Sequence, residues 1–259
     1  MIRLENISLV TAGGREILRD ISWHIREDQN WVLFGRNGSG KTRLLEVLTG
    51  YVFPTRGEVK RFGHGQAGSD IRQVRKRIGY VSNALKDRFT MKEKARDIIL
   101  SGMYASIGLY IQPTEFDISY SEDLLAASGL AGRGGDPLCE FSDGERQKLM
   151  ISRALINRPD ILVLDEPAYG LDFPSREDLL ESLAGINALR KIPVVYVTHH
   201  VEEITPMFNR IFIIHEGSCF FQGPVSEGLQ GRVLSELFRH EVEVVNRRGR
   251  YSMIPVQKR

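Results

Sequence analysis

The chain has 259 residues, of which 42% are apolar, and its 35 basic and 33 acidic side chains leave a net charge of +2. This length and apolar content suffice for a full hydrophobic core, and the near-neutral charge favours no nucleic-acid partner. No apolar run approaches the roughly 18–20 residues of a membrane span, and the N-terminus lacks the apolar segment of a signal peptide. Cys139 and Cys219 lie far apart, which favours buried thiols in a reducing compartment over a metal or redox pair.

Two alternating segments open the chain. Residues 2–10 and 15–25 alternate apolar and polar side chains, and a glycine pair between them is typical of a hairpin turn. The apolar run 31–35 then leads into a glycine-rich turn, and leucines recur at helical spacing over 41–49. The sequence thus predicts an antiparallel piece, followed by a strand, a loop and a helix.

The loop between that strand and helix fits the pattern G-x-x-x-x-G-K-[ST] in full. Its glycines let successive backbone N–H groups curl around a phosphate, and the helix that follows adds its positive end. Lys41 is expected to reach the β- and γ-phosphates of a nucleotide, and the Thr42 hydroxyl to ligate Mg²⁺. The alternative is an ordinary strand–turn–helix connection, which rarely carries the whole pattern. The predicted phosphate-binding residues are Gly35, Arg36, Asn37, Gly38, Ser39, Gly40, Lys41 and Thr42.

The stretch after the first helix is less regular. A short strand is predicted over 58–62, and residues 63–68 fit G-x-G-x-x-G, the fingerprint of a dinucleotide site. The segment that follows is too basic for a helix packed on a parallel sheet, so a surface loop and a solvated helix face are the better interpretation. A strand over 78–83 precedes a helical region from about 86 to 130, which indicates a helical subdomain inserted into an α/β core.

The second half of the chain alternates strands and helices. One helix is expected to begin with Ser142 as its N-cap and Glu145 three positions on, a spacing that by itself indicates a capping box. The apolar run 161–167 ends in Asp165 and Glu166, and a carboxylate at such a strand end, beside a phosphate loop, is where NTPases hold Mg²⁺. The remaining pattern predicts a helix over 174–190, strands over 192–198 and 211–214, turns at Gly217 and Gly223-Pro224, a last helix over 225–239 and a hairpin over 241–255.

The ordered motifs resemble those of the ATP-binding-cassette (ABC) ATPases across nearly the whole chain. The loop over 35–42 looks like their Walker A motif, and 161–167 looks like Walker B with the catalytic glutamate that follows it. Residues 141–145 resemble the family signature, usually Leu-Ser-Gly-Gly-Gln. Residues 170–172 resemble the D-loop, and His199 resembles the switch histidine.

The resemblance implies an α/β fold. It comprises a P-loop NTPase core with a mainly parallel sheet, an N-terminal antiparallel β subdomain and an inserted α-helical subdomain. A single ATPase domain is expected over residues 1–259. Its expected parts are the core with the antiparallel piece over 1–85 and 130–240, the helical subdomain over about 86–145, and the C-terminal helix and hairpin over about 225–256.

The resemblance also implies an active site shared by two chains, with each nucleotide between the Walker motifs of one and the signature of the other. This chain has one of each, so a head-to-tail homodimer or a pair with a similar chain is expected. Glu166 would orient and deprotonate the attacking water, His199 would bond the γ-phosphate, and Lys41 would complete the catalytic set. The implied Mg²⁺ ligands are Thr42, Asn83 and Asp165. Further nucleotide contacts are implied for Asn83, Ser142, Gly144, Glu145 and Asp172.

The chain departs from the family outside the signature at three places. Asn83 stands where glutamine is usual, so its amide reaches one methylene less far. Thr11-Ala12 stands where an aromatic residue usually stacks on adenine, so stacking is expected to be weak or supplied elsewhere. His200 replaces an aspartate and is interpreted as surface variation.

The signature itself carries two acidic replacements. Asp143 stands for the first glycine, and Glu145 stands for the glutamine. A carboxylate at position 143 opposes a phosphate unless it points away or pairs, and Arg146 is near enough in sequence to offset it. Hydrolysis slower than that of a consensus signature is therefore expected.

Three functions fit this pattern. A single cassette with a helical insert and no fused span favours the ATP- and Mg²⁺-dependent subunit of a transporter, bound to membrane-spanning permease chains at the inner, cytoplasmic face of the membrane. Its coupling surface is expected within residues 84–120. The alternative is a soluble ABC ATPase in cofactor assembly, repair or translation, although one cassette and no sustained heptads disfavour the last two. A nucleotide-binding module without turnover is disfavoured by the intact Walker and switch residues.

Overall fold

The computed structural model describes residues 1–65, 70–104, 106–110 and 112–256, without the side chain of Asn83. It divides the chain into two units. Unit 1 comprises Met1–Val74 and Pro193–Arg259, and unit 2 comprises Arg75–Ile192. Of the glycine-rich segment over 63–68, residues 66–68 lie outside the described part.

The described chain contains both strands and helices, and no helix within it is both long and apolar enough to cross a bilayer. The strands are β1 Ile2–Val10, β2 Glu16–Ile25, β3 Trp31–Phe34, β4 Arg56–Arg61, β5 Ile78–Ser82, β6 Ile161–Asp165, β7 Val194–Thr198, β8 Arg210–His215, β9 Ser218–Pro224, β10 Val242–Arg247 and β11 Arg250–Pro255. The α-helices are α1 Lys41–Thr49, α2 Ile71–Lys76, α3 Asn83–Lys86, α4 Ala95–Ser101, α5 Glu115–Ala127, α6 Asp143–Leu155, α7 Phe173–Arg190, α8 Val225–Gly228 and α9 Gly231–Phe238. Short 3₁₀ turns lie at Gly102–Tyr104, Leu138–Glu140 and Val201–Glu203.

Unit 1 carries the antiparallel piece and a mainly parallel sheet. Strand β1 pairs antiparallel with both β2 and β4, which confirms the predicted N-terminal hairpin. In the other sheet, β3 lies between β7 and β8 and is parallel to both, and β9 pairs antiparallel with β8 at the edge. All four residues of β3 are buried, as expected for a central parallel strand. The predicted closing hairpin is present as β10 and β11.

Two tryptophans, the only ones in the sequence, lie in the core of unit 1. Trp23 on β2 and Trp31 on β3 meet edge to face with ring centroids 5.5 Å apart, and each is 1% exposed. Trp23 also lies 4.9 Å from Phe212 on β8. Buried aromatic contacts of this kind attach the antiparallel hairpin to the sheet whose central strand leads into the glycine-rich loop.

Unit 2 combines a parallel strand pair with helices. Strands β5 and β6 pair in register from Ile78 opposite Ile161 to Ser82 opposite Asp165. Helices α4, α5 and α6 pack on one another, and the hydroxyls of Ser128 after α5 and Ser152 on α6 lie 2.6 Å apart. The helical region expected after residue 86 is therefore present, as separate helices.

The expected single helix over 225–239 is wrong, because the structure divides it into α8 and α9. At Gly228, the last residue of α8, a Cβ would lie 2.4 Å from Cγ2 of Ile211 on β8. Gln230 then has extended backbone, with φ −94° and ψ 145°, before α9 begins. The predicted turn at Gly223-Pro224 is also wrong, since both residues belong to β9.

Both cysteines are exposed, which corrects the expectation of buried thiols. Cys139 lies in the 3₁₀ turn before α6, and Cys219 lies on the edge strand β9. Neither forms a disulfide. Residue type alone favoured burial, but the position of each cysteine, on a surface turn and on an edge strand, decides its exposure.

Candidate functional site

A tight loop joins β3 to α1 and carries the predicted phosphate-binding residues. Gly38 and Gly40 have φ of +77° and +109°, a region that residues with a Cβ rarely adopt. Gly40 is the N-cap of α1, and no described side chain caps this helix. The first N–H groups of a helix have no carbonyl partner within the helix, and the loop and this helix end together form an array of amide donors suited to a phosphate.

The side chain of Lys41 folds back over this loop. Its Nζ donates to the carbonyl oxygens of Gly35 at 2.9 Å and Arg36 at 3.2 Å, and the residue is 6% exposed. These two hydrogen bonds fix the position of the ammonium at the start of α1. The cation is thus held beside the loop amides, where a phosphate oxygen would meet it.

The buried Ser39 hydroxyl indicates that a phosphate fits the loop. Ser39 is 6% exposed, and its Oγ has no hydrogen-bond partner among the described residues. Leaving a buried hydroxyl unpaired costs about 1–3 kcal/mol. A phosphate oxygen bound in the loop would satisfy it, so the residues present fit the predicted ligand.

The loop is supported from behind by β8 and the turn that follows it. A Cβ on Gly35 would lie 2.4 Å from the carbonyl oxygen of Ile214, so the strand end passes too close for any side chain. The backbone N–H of Gly217 donates to the carbonyl of Ser39 at 2.9 Å. This packing holds the amides of the loop in place before a ligand arrives.

The predicted switch histidine follows the neighbouring strand. Strand β7 runs parallel to β3 with Thr198 opposite Phe34, so His199 and the phosphate loop leave the sheet at the same edge. The rings of His199 and His200 have centroids 4.1 Å apart and are tilted by 40°, and the backbone N–H of His200 donates to Thr198 Oγ1 at 2.9 Å. His200 is exposed, in agreement with its interpretation as a surface position.

In unit 2, the predicted acidic pair lies at the end of β6. The Tyr80 hydroxyl on β5 is 3.5 Å from Oδ2 of Asp165, a contact that no local pattern signals because the two residues are far apart in sequence. Glu166 has φ +48°, a left-handed conformation that costs a non-glycine residue about 1–3 kcal/mol and is concentrated at functional sites. Asn83 begins α3 at the same edge of the strand pair, but its side chain is outside the described part.

The signature segment forms the predicted start of α6. Ser142 is the N-cap, its Oγ accepts from the Glu145 backbone N–H at 3.3 Å, and Glu145 Oε2 accepts from the Ser142 N–H at 2.8 Å. The capping box predicted from the sequence is therefore confirmed. Gly144 is buried, and a Cβ there would lie 3.1 Å from Cβ of Ser175 on α7.

Asp143 sits in the first turn of α6 with 67% of its side chain exposed, and its Oδ1 is 3.4 Å from Nη1 of Arg146. The pairing offsets part of the negative charge and solvent screens more of it. Replacing Asp143 with glycine is therefore expected to raise ATP turnover by a modest factor, about twofold to fivefold. Steady-state phosphate release by the two proteins measures it. Unchanged or lower turnover in Asp143→Gly would refute a braking effect of this carboxylate.

Asp172, predicted in the D-loop, is the N-cap of α7. Its Oδ1 accepts from the backbone N–H of Ser175 at 2.9 Å. Hydrogen bonds from Ser175 hold the pKa of this exposed carboxyl below its usual value. The structure thus gives Asp172 a helix-capping contact in addition to the nucleotide contact expected for it.

The β1–β2 turn carries no ring for adenine stacking. Thr11 closes this turn, since its Oγ1 accepts from the Arg15 backbone N–H at 3.1 Å, and Ala12 is exposed. The Thr11 side chain therefore stabilises the hairpin turn. Weak base stacking at this turn stays a prediction.

The structure brings the predicted residues together in separate groups. In unit 1, the loop over 35–42 and His199 follow neighbouring parallel strands. In unit 2, Asp165, Glu166 and the start of α3 follow a second parallel pair. The signature and D-loop residues occupy the N-termini of α6 and α7, and they are Ser142, Gly144, Glu145 and Asp172.

Comparison with known proteins identifies the family. The family model described as ABC transporter matches residues 18–169. YlmA of Bacillus subtilis, an uncharacterised ABC transporter ATP-binding protein, is 41% identical over 251 residues, covering 95% of this chain and 93% of the relative. YmeB of Lactococcus lactis, similarly described, is 35% identical over 260 residues, covering 98% of both chains.

A solved structure supports the same fold. A dimeric ATP-binding cassette in a post-hydrolysis state, bound to ADP and Pi, superposes with a TM-score of 0.73 at 23% identity. The match covers 87% of this chain and 99% of the other, and it shows the α/β P-loop cassette fold. Given that fold, the family match and these relatives, the chain belongs to the ATP-binding proteins of the ABC transporter family.

Proposed function

We propose that this chain, acting as one ATPase domain, hydrolyses Mg²⁺-bound ATP to power an ABC transporter. The observation that carries the proposal is the phosphate loop. Its uncapped α1 terminus, the Lys41 ammonium and the buried Ser39 hydroxyl supply the donors and positive charge that a triphosphate requires. Family membership supports ATP as the nucleotide.

The metal would be held by oxygen ligands from both Walker motifs. The Thr42 hydroxyl and the Asp165 carboxylate are the proposed ligands, with the Asn83 amide as a third. Hard oxygen donors of this kind suit Mg²⁺. When bound, the ion neutralises charge on the β- and γ-phosphates, and the protein's contribution is to hold the phosphates in one orientation.

The proposed chemistry is attack of a water molecule on the γ-phosphate. Glu166 would orient this water and accept its proton, and the left-handed backbone at this residue supports a functional constraint on its position. His199 would donate a hydrogen bond to the γ-phosphate from the edge of the sheet next to the loop. Catalysis by such a site consists mainly of positioning and charge stabilisation.

A complete site is proposed to need two chains in head-to-tail arrangement. Ser142 and Gly144, at the N-terminus of α6, would face the γ-phosphate held by the loop of the second chain. The chain contains one phosphate loop and one signature. The superposed cassette is itself dimeric, which supports the same assembly here.

A membrane-spanning permease is proposed to dock within residues 84–120, which would place the chain at the cytoplasmic face of the membrane. Within the described part of this segment, four large apolar side chains are exposed to solvent. Exposed aromatic and methionine side chains are enriched at protein interfaces. They are Met91, Tyr104, Tyr110 and Phe116, with exposures of 51%, 41%, 83% and 67%.

Co-purification tests this assignment against the soluble alternative. Tagged Glu166→Gln protein, loaded with ATP, should retain partners that the wild-type chain releases during turnover. Recovery of a multi-span membrane protein in stoichiometric amount from detergent-solubilised membranes is the expected result. Recovery of ribosomes, nucleic acid or soluble assembly factors without a membrane chain would overturn the transporter assignment.

A further inference from the structure

Arg133, in the loop between α5 and α6, makes four contacts around the signature. Its Nε lies 2.9 Å from Oδ2 of Asp136, its Nη1 lies 2.6 Å from Oε1 of Glu145, and its Nη2 donates to the carbonyl of Glu140 at 3.0 Å. Its Cζ lies 4.0 Å from the centre of the Phe141 ring. A guanidinium held by hydrogen bonds and an aromatic face has a fixed position, which a flexible surface arginine lacks.

The contact with Glu145 connects Arg133 to the helix N-terminus. One oxygen of Glu145 binds Arg133, and the other accepts from the backbone N–H of Ser142 at 2.8 Å. The backbone N–H of Glu145 in turn donates to Ser142 Oγ at 3.3 Å. The position of Ser142 therefore depends on a carboxylate that is itself held by Arg133.

The first turn of α6 carries negative charge close to where a phosphate is expected to bind. Asp143 and Glu145 place two carboxylates at a helix end whose positive potential would otherwise favour an anion. Each carboxylate pairs with an arginine, Arg146 at 3.4 Å for Asp143 and Arg133 at 2.6 Å for Glu145. Arg133 is shared with Asp136 at 2.9 Å, so the two arginines offset most but not all of the acidic charge at this helix end.

We propose that Arg133 is a positioning residue of the ATPase site, which pairs with Glu145, offsets its charge and so fixes Ser142 for the γ-phosphate of a nucleotide held by a second copy of this chain. The proposal rests on the two-chain mechanism proposed above. Without Arg133, Glu145 would either keep its capping bond and repel the phosphate or turn away and release Ser142. Either outcome impairs hydrolysis in the two-chain site, but binding of ATP to the chain's own phosphate loop is unchanged.

The test is a double-mutant cycle with full-length protein. Arg133→Met is expected to lower kcat by about tenfold with ATP affinity unchanged, and Arg133→Lys by a smaller factor, since lysine keeps the charge but loses the fork geometry. Glu145→Gln keeps a capping side chain without the charge. The double variant Arg133→Met/Glu145→Gln should have a kcat within about threefold of that of Glu145→Gln alone. An arginine with a purely structural role would show no such rescue.

The control is Arg77→Met, which removes an arginine whose Nε pairs with Asp160 at 2.5 Å in the same unit; it is expected to leave kcat unchanged. Amide hydrogen exchange gives a readout that does not depend on activity, and Arg133→Met should speed exchange at Ser142 and Glu145. If the wild-type protein has no ATPase activity, the proposed function is refuted. Amide hydrogen exchange at Ser142 and Glu145 then tests the positioning role of Arg133 without any measurement of turnover. Unchanged exchange and kcat in Arg133→Met, or a double variant as slow as Arg133→Met, would overturn the positioning role.

Discussion

Replacing Glu166 with glutamine is expected to lower ATP turnover by at least about 10² while ATP binding is retained. Glutamine has nearly the same shape as glutamate and can still orient a water molecule, but its amide cannot accept the proton that the water must lose. Since the phosphate loop belongs to other residues, nucleotide affinity has no reason to fall. Steady-state phosphate release and equilibrium nucleotide binding, measured on the same preparation, separate the two quantities.

The chain offers a matched control for this substitution. Glu216 also has left-handed backbone, with φ +47° against +48° at Glu166, and 66% of its side chain is exposed. Glu216→Gln makes the same chemical change in the same backbone conformation, so it isolates the effect of position, and we expect turnover close to that of the wild type. Turnover in Glu166→Gln that matched this control would remove Glu166 from the proposed role.

Replacing Lys41 with alanine is expected to weaken ATP binding by about tenfold or more and to lower turnover by about 10²–10³. The Lys41 ammonium lies at the phosphate loop, where it donates hydrogen bonds to the carbonyl oxygens of Gly35 and Arg36. Its removal takes away the charge that a triphosphate would meet and leaves those two acceptors without this donor. Calorimetric titration with ATP, and phosphate release at saturating ATP, measure the two effects.

A neighbouring cation supplies the comparison. Arg43 lies two residues further along α1, has 52% of its side chain exposed and pairs with Glu46 at 2.6 Å. Arg43→Ala removes one positive charge from the same helix, so the net charge of the chain falls equally in both variants. Equal affinities for ATP in the two variants would mean that Lys41 acts only through net charge and has no specific contact with the phosphates.

Local patterns gave the best predictions. The phosphate loop and the capping box at Ser142 each depend on residue types within eight positions of one another, so the spacing alone determines the geometry. The alternating N-terminal hairpin and the buried central strand β3 also follow from short-range hydrophobic periodicity. Each of these elements carries its own signal within the segment that forms it.

The features that were missed depend on contacts between distant segments. Tyr80 reaches Asp165 across a strand pair separated by more than 80 residues, and no pattern near Tyr80 marks it. Arg133 sits in an irregular loop, where its role follows only from the folded position of Glu145. Gly228, at the end of α8, lies against Ile211 on a distant strand, a contact that the helical pattern over 225–239 does not show. Such contacts become visible only when the chain is folded.

The buried tryptophan pair determines what fluorescence can report about this protein. Trp23 and Trp31 are the only indoles in the chain, and both belong to unit 1. Their emission should be blue-shifted because both rings are removed from water, and it should follow events in the hairpin and in the strand that enters the phosphate loop. Unit 2 contains no tryptophan, so its unfolding has to be followed through tyrosine signals or far-ultraviolet circular dichroism. A denaturation curve read from tryptophan emission would thus report directly on unit 1, and its agreement with a far-ultraviolet curve would test whether the whole chain unfolds in one step.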